Sequence, residues 1–113
     1  MITIDGLKKL GVNTDEGLTR CMNNEQFYLR LVNMIPDEKG FDSLKTALDN
    51  GDLQAAFEYA HALKGALGNL SLNNMFDKCS EITELLRAKT EIDYTPLVNQ
   101  LLSMRDELDA MRR

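Results

Sequence analysis

The sequence predicts an all-α protein, an antiparallel up-and-down four-helix bundle with short N-terminal helices packed against it. Three observations carry this. Apolar residues recur at three- and four-residue spacing through most of the 113 residues, which is the signature of one buried helical face. No β-branched run alternates with period two, and no Asn-Gly hairpin joins two such runs. The turn signals between periodic segments are compact, and short connections force neighbouring helices antiparallel.

The elements follow in order. Ile4 to Leu10 and Asp15 to Met22 are short helical segments, the second opened by Asn13 or Thr14 as N-cap with acids in its first turn. A helix from about Glu25 to Ile35 places Phe27, Leu31 and Met34 on one stripe and stops at Pro36. The next carries Phe41, Leu44, Ala47 and Leu48 to Asn50. In "DNGDL", Asn50 and Gly51 suit a left-handed helix end, and Asp52 suits the following N-cap. The central helix runs from Leu53 to about Leu70. After it, Met75, Cys79, Ile82 and Leu86 mark an amphipathic helix, and "TEIDYTPLV" restarts the chain with Thr95 as N-cap and Pro96 at the first helical position. Leu97, Leu101, Met104, Leu108 and Met111 line the last helix.

At 43% hydrophobic residues, the chain can bury one compact core, so residues 1–113 are read as a single domain: an N-terminal cap over 1–22 and a bundle over 24–112. A net charge of −5 repels a phosphate backbone, which argues against nucleic acid as a partner. No apolar run reaches the roughly 18 residues of a membrane span, and "MITIDGLKKLG" lacks the basic and apolar regions of a secretion signal. The expectation is a cytoplasmic monomer. Cys21 and Cys79 form no C-x-x-C pair and have no histidine near them in sequence, so both are read as reduced packing thiols.

His61 is the only histidine, in "YAHALKGALGNLSL". On a helical projection, Leu53, Ala56, Phe57, Ala60, Leu63, Leu67 and Leu70 share one face. His61 lies roughly 125° from its centre at about 100° per residue, on the solvent side. Lys64, Gly65 and Gly68 follow it at intervals of three, four and seven, and form one surface patch with it. Each glycine inside a helix costs about 1 kcal/mol relative to alanine, which asks for a compensating use. Helical side chains lean back toward the N-terminus, so a long side chain at 65 would cover His61. Glycine there leaves the imidazole open, and Gly68 extends the flat strip for close approach of another backbone. A neutral imidazole is a nucleophile, and the Lys64 ammonium can pair with an anion held beside it. The chemistry fits a phosphoryl acceptor. Taken singly, a surface histidine, a solvating lysine and two packing glycines would be unremarked; the ordered H-x-x-K-G-x-x-G pattern on one side of a helix favours the functional reading.

With those residues, the chain resembles the histidine-containing phosphotransfer (HPt) domains of multistep two-component signalling. Their helix typically carries A-H-x-L-K-G-x-x-x-x-[LIF]-G, matched here by Ala60, His61, Leu63, Lys64, Gly65 and Leu70. Gly68 is also common there. Ser71 replaces the final glycine and, being small, is expected to preserve the close turn. The order of helix, Gly-Asp turn and histidine helix in "LDNGDLQAAFEYAHALKG" extends the resemblance.

The resemblance implies a phosphocarrier, not an enzyme. His61 would take a phosphoryl group from a receiver-domain aspartyl phosphate and give it to another receiver's aspartate, with Lys64 steadying the group. Gly65, Gly68, Phe57 and Glu58 would dock the partner. Implied partners are response-regulator receivers and a hybrid sensor histidine kinase. No cofactor is expected: no G-x-x-x-x-G-K-[ST] loop or nucleotide-binding lid is present, Glu58 alone is a weak ligand set, and Mg²⁺ would come with the receiver. One alternative is a non-catalytic helical module that docks receivers or kinases without carrying phosphate. Another is a haem bundle with His61 and one of the six methionines as axial ligands. It is disfavoured because axial ligands point into a bundle and His61 points out.

Overall fold

The computed structural model describes residues 1–113 and is all-helical. In chain order the helices are α1 (Ile4–Lys9), α2 (Thr14–Arg20), α3 (Glu25–Met34), α4 (Gly40–Asp49), α5 (Leu53–Asn69), α6 (Asn73–Arg87) and α7 (Thr95–Ala110), with a 3₁₀ turn at Ile35–Asp37 after α3. Helices α4 to α7 form the bundle, each packed against the next, and the short N-terminal helices lie against it. One apolar core of buried residues reaches from Ile2 to Leu108.

Helix starts follow the caps in the sequence. Asn13 Oδ1 accepts from the Glu16 N–H at 3.1 Å, Asn24 Oδ1 from Phe27 at 3.0 Å and Asp52 Oδ1 from Ala55 at 3.1 Å. Each satisfies an amide that has no partner inside its helix. Asn13, not Thr14, opens α2. The last helix starts one residue earlier in register than expected: Thr95 is its first helical residue, Pro96 follows, and the Thr95 N–H donates to Asp93 Oδ1 at 3.0 Å. Tyr94 takes the N-cap position expected of Thr95, and Asp93 supplies the side-chain acceptor for the first helical amide. Hydrogen bonds from the Thr95 side chain and then from its backbone N–H hold the Asp93 carboxyl below the usual carboxylate range.

Helix α5 ends in a complete Schellman loop. Ser71 N–H donates to the Gly68 carbonyl and Leu72 N–H to that of Leu67, both at 3.1 Å, with Ser71 left-handed at φ 55°. The small residue does preserve the turn. Gly51, at φ 71°, closes α4 the same way, its N–H donating to Leu48 and that of Asp52 to Ala47.

The buried stripe of α3 differs from expectation. Tyr28, Val32 and Ile35 are buried, Leu31 is half-buried, and Phe27 and Met34 are exposed. The helix is rotated by about one residue because Tyr28 serves three elements at once. Its ring lies so close to Gly17 of α2 that a Cβ there would be 2.5 Å away. Its hydroxyl donates to the Leu70 carbonyl at 2.9 Å, at the end of α5. Burial pushes that hydroxyl's pKa up to about 12.

Met75, Cys79, Ile82 and Leu86 form the buried face of α6 as expected, and Thr83 joins them. Its hydroxyl donates to the Cys79 carbonyl at 2.7 Å, which lets a polar residue sit in the core. On α7, Val98, Leu101 and Leu108 are buried, while Leu97 and Met104, and Met111 just past its end, are half-buried. No helix is long and apolar enough to cross a membrane.

Candidate functional site

Helix α5 stays unbroken through both of its internal glycines. Its inner face is set by Ala56, Ala60, Leu63 and Leu67, all buried, and this orientation turns His61 outward, where it is exposed. One turn before it, the half-buried Phe57 ring stacks on the imidazole, with centroids 5.8 Å apart and planes 17° apart. The Arg87 guanidinium of α6 lies over Phe57, 5.0 Å from the ring centroid. The cation and the two rings make one layered surface across the α5–α6 seam.

Lys64 is partly covered, and its ammonium is 4.0 Å from a Glu84 carboxylate oxygen of α6. Glu84 also pairs with Arg87 at 3.2 Å. One carboxylate therefore bridges two cations, Lys64 of α5 and Arg87 of α6. Glu58 is exposed and accepts a hydrogen bond from Gln54 at 3.3 Å.

The two glycines have different surroundings. A Cβ added at Gly65 would meet nothing within 4 Å, so this position is open. At Gly68 it would lie 3.1 Å from the Phe76 ring of α6. Close helix packing therefore accounts for Gly68, whereas nothing in the fold's packing requires Gly65. Both still line one groove with Lys64, Asn69 and Phe76, to which Arg20 of α2 also contributes. Arg20 is held there by Glu16 at 2.9 Å.

Phe57, His61, Lys64 and Gly65 are thus grouped at one surface as the helical spacing requires. The sequence reading missed Glu84, Arg87 and Arg20. Arg87 and Glu84 are spaced by three on the polar face of α6, but their meeting with α5 depends on the register between the helices, which no single-helix projection contains. Cys79 faces inward and its thiol donates to the Ala60 carbonyl at 3.2 Å. Burial pushes its pKa up to about 11, so it is a poor nucleophile at neutral pH. Both cysteines are buried and unpaired. No three His, Cys, Asp or Glu side chains come together to hold a metal ion.

A model of the Hpt domain family matches residues 38–113, the stretch that holds α4 to α7 with Phe57, His61, Lys64, Gly65, Glu84 and Arg87. No curated protein and no solved structure matches the chain. Hpt domains serve histidine phosphotransfer in phosphorelays, interact there with receiver domains, and are phosphocarriers, not enzymes. With more than half of its length matched, and with the helical bundle in place, the chain belongs to the Hpt domain family.

Proposed function

We propose that His61 is the phosphoacceptor, taking a phosphoryl group from the aspartyl phosphate of one receiver domain and passing it to the aspartate of another. The observation that carries this is the exposed imidazole braced by Phe57, with the Lys64 ammonium on the same face and open space at Gly65. A lone pair of the neutral ring forms an N–P bond, the P–O bond of the aspartyl phosphate breaks, and its electron pair stays on the departing carboxylate. The other ring nitrogen keeps its proton until solvent takes it. Lys64 neutralises part of the charge on the transferred group. Gly65 lets the receiver's active-site edge approach the ring, and Phe57, Glu58 and Gly68 border the contact. The receiver brings the Mg²⁺ and the reacting aspartate, and a hybrid sensor kinase in the cytoplasm charges the first receiver. The protein works as a monomer, and residues 1–113 act as one domain.

Incubation with a phosphorylated receiver tests this. Acid-labile, alkali-stable phosphate should appear on the wild-type protein and be absent from His61→Gln, a variant that keeps helix propensity and polarity without the nucleophile. Equal labelling of the two would refute the assignment. Binding of the receiver with no label on either would leave a docking module in its place.

A further inference from the structure

Lys64 is already engaged before any phosphate arrives. Its partner, Glu84, sits 4.0 Å away and is shared with Arg87 at 3.2 Å. Two contacts fix how far along the bundle this carboxylate lies. Phe76 faces Gly68, and Arg87 lies over Phe57, so α6 runs antiparallel to α5 and in step with it. Glu84, three residues before Arg87, is therefore level with Ala60, three residues after Phe57. This is the turn that carries His61. Lys64 reaches back to that level, as helical side chains lean toward the N-terminus.

We propose that Glu84 is a positioning residue: it holds Lys64 in the unphosphorylated protein, yields it to the phosphoryl group, and so sets how fully and how long His61 stays phosphorylated. The inference rests on His61 being the phosphoacceptor. A phosphoryl group on the ring places a strong anion beside the Glu84 carboxylate, and like charges repel. Lys64 cannot pair closely with both. When it turns to the phosphate, Arg87 remains to hold Glu84, so the carboxylate is not stranded. The competition makes the charged state less stable than Lys64 alone would allow, which suits a carrier that must give its cargo away.

Phosphoramidate, a small phosphoryl donor, tests this without any receiver. The ring lone pair forms a new N–P bond and the reagent's own N–P bond breaks, its electron pair leaving on ammonia because the reagent's amine is already protonated. Phosphohistidine level and half-life are followed by ³¹P NMR on the full chain. An exposed ion pair shifts an equilibrium by up to about fivefold, so Glu84→Gln should raise both quantities about two- to fivefold, and Glu84→Asp should return them toward wild type. Glu81→Gln removes a carboxylate of the same helix that pairs with Lys78 at 3.3 Å, and should change neither. In a Lys64→Ala background the gain from Glu84→Gln should fall by more than half. An unchanged half-life in Glu84→Gln, or a full gain without Lys64, would overturn the role of Glu84 while leaving His61 as acceptor. Absence of label on wild-type His61 would overturn both.

Discussion

Phe57 and His61 stand one helical turn apart with their rings nearly parallel, 17° between planes and 5.8 Å between centroids. Phe57 is itself covered by Arg87, so the imidazole is braced on a surface anchored in two helices. An aromatic pair contributes about 0.5–1.5 kcal/mol beyond its buried area. Phe57→Leu keeps an apolar side chain at the seam and removes the stack. The phosphotransfer rate should fall about two- to tenfold, with melting and circular dichroism close to wild type.

Gly65 and Gly68 should respond differently to alanine. Nothing lies within 4 Å of a Cβ at 65, so Gly65→Ala should gain up to about 1 kcal/mol of helix stability. At 68 the new methyl group meets Phe76 at 3.1 Å, and repacking should cancel or reverse that gain. Gly65→Glu should also be at least as stable as wild type, yet its carboxylate would lean over His61. Transfer should fall by more than tenfold, and Gly65→Ala should fall between. Paired thermal melts and transfer assays check all three variants.

Ser71 carries two local costs. It is left-handed at φ 55°, and its buried hydroxyl has no hydrogen-bond partner. Ser71→Gly removes both while loosening the unfolded chain, for a net gain of about 0.5–1.5 kcal/mol. Chemical denaturation should show a higher midpoint with an unchanged slope.

Acid should weaken the grip of Arg112 on Asp37 and Asp109. The Arg112 guanidinium donates to both oxygens of Asp37, at 2.8 and 3.0 Å, and also pairs with Asp109. Its hydrogen bonds hold both carboxyls below the usual range. A carboxyl with a depressed folded pKa stabilises above its unfolded value, near 3.9 for aspartate, and loses that contribution as pH falls through the folded value. The melting temperature should therefore drop as pH falls below about 4. Arg112→Ala should lower it at neutral pH and flatten the acid limb. An acid limb as steep as wild type would separate these carboxylates from the effect.

Most helix positions and the placement of His61 were legible because they depend on local chemistry. Asn13 and Asp52 cap through their own side chains within three residues, and the α5 stripe is regular enough to fix which side faces out. Helix α3 was legible in extent but not in rotation. Phe27 is as apolar as a core residue, and only the space beneath Gly17 and the carbonyl of Leu70 explain why Tyr28 is buried instead. The same limit applies at the site. Lys64 and Gly65 declare themselves through spacing from His61, whereas Glu84, Arg87 and Arg20 arrive from other helices. Gly68 looked equivalent to Gly65 in projection, and Phe76 separates them.

The bond from Tyr28 to Leu70 also bears on the order in which the chain assembles. Helices α4, α5, α6 and α7 pack each against its sequence neighbour, so their contacts close short loops, and proteins rich in such contacts fold fast. Tyr28 instead spans 42 residues to reach its acceptor. Its carbonyl partner comes into position only once α5 has ended in the Ser71 turn. The bundle should therefore form early and the N-terminal layer dock late, which would appear in stopped-flow as folding rates nearly insensitive to Tyr28→Phe and unfolding rates that rise with it.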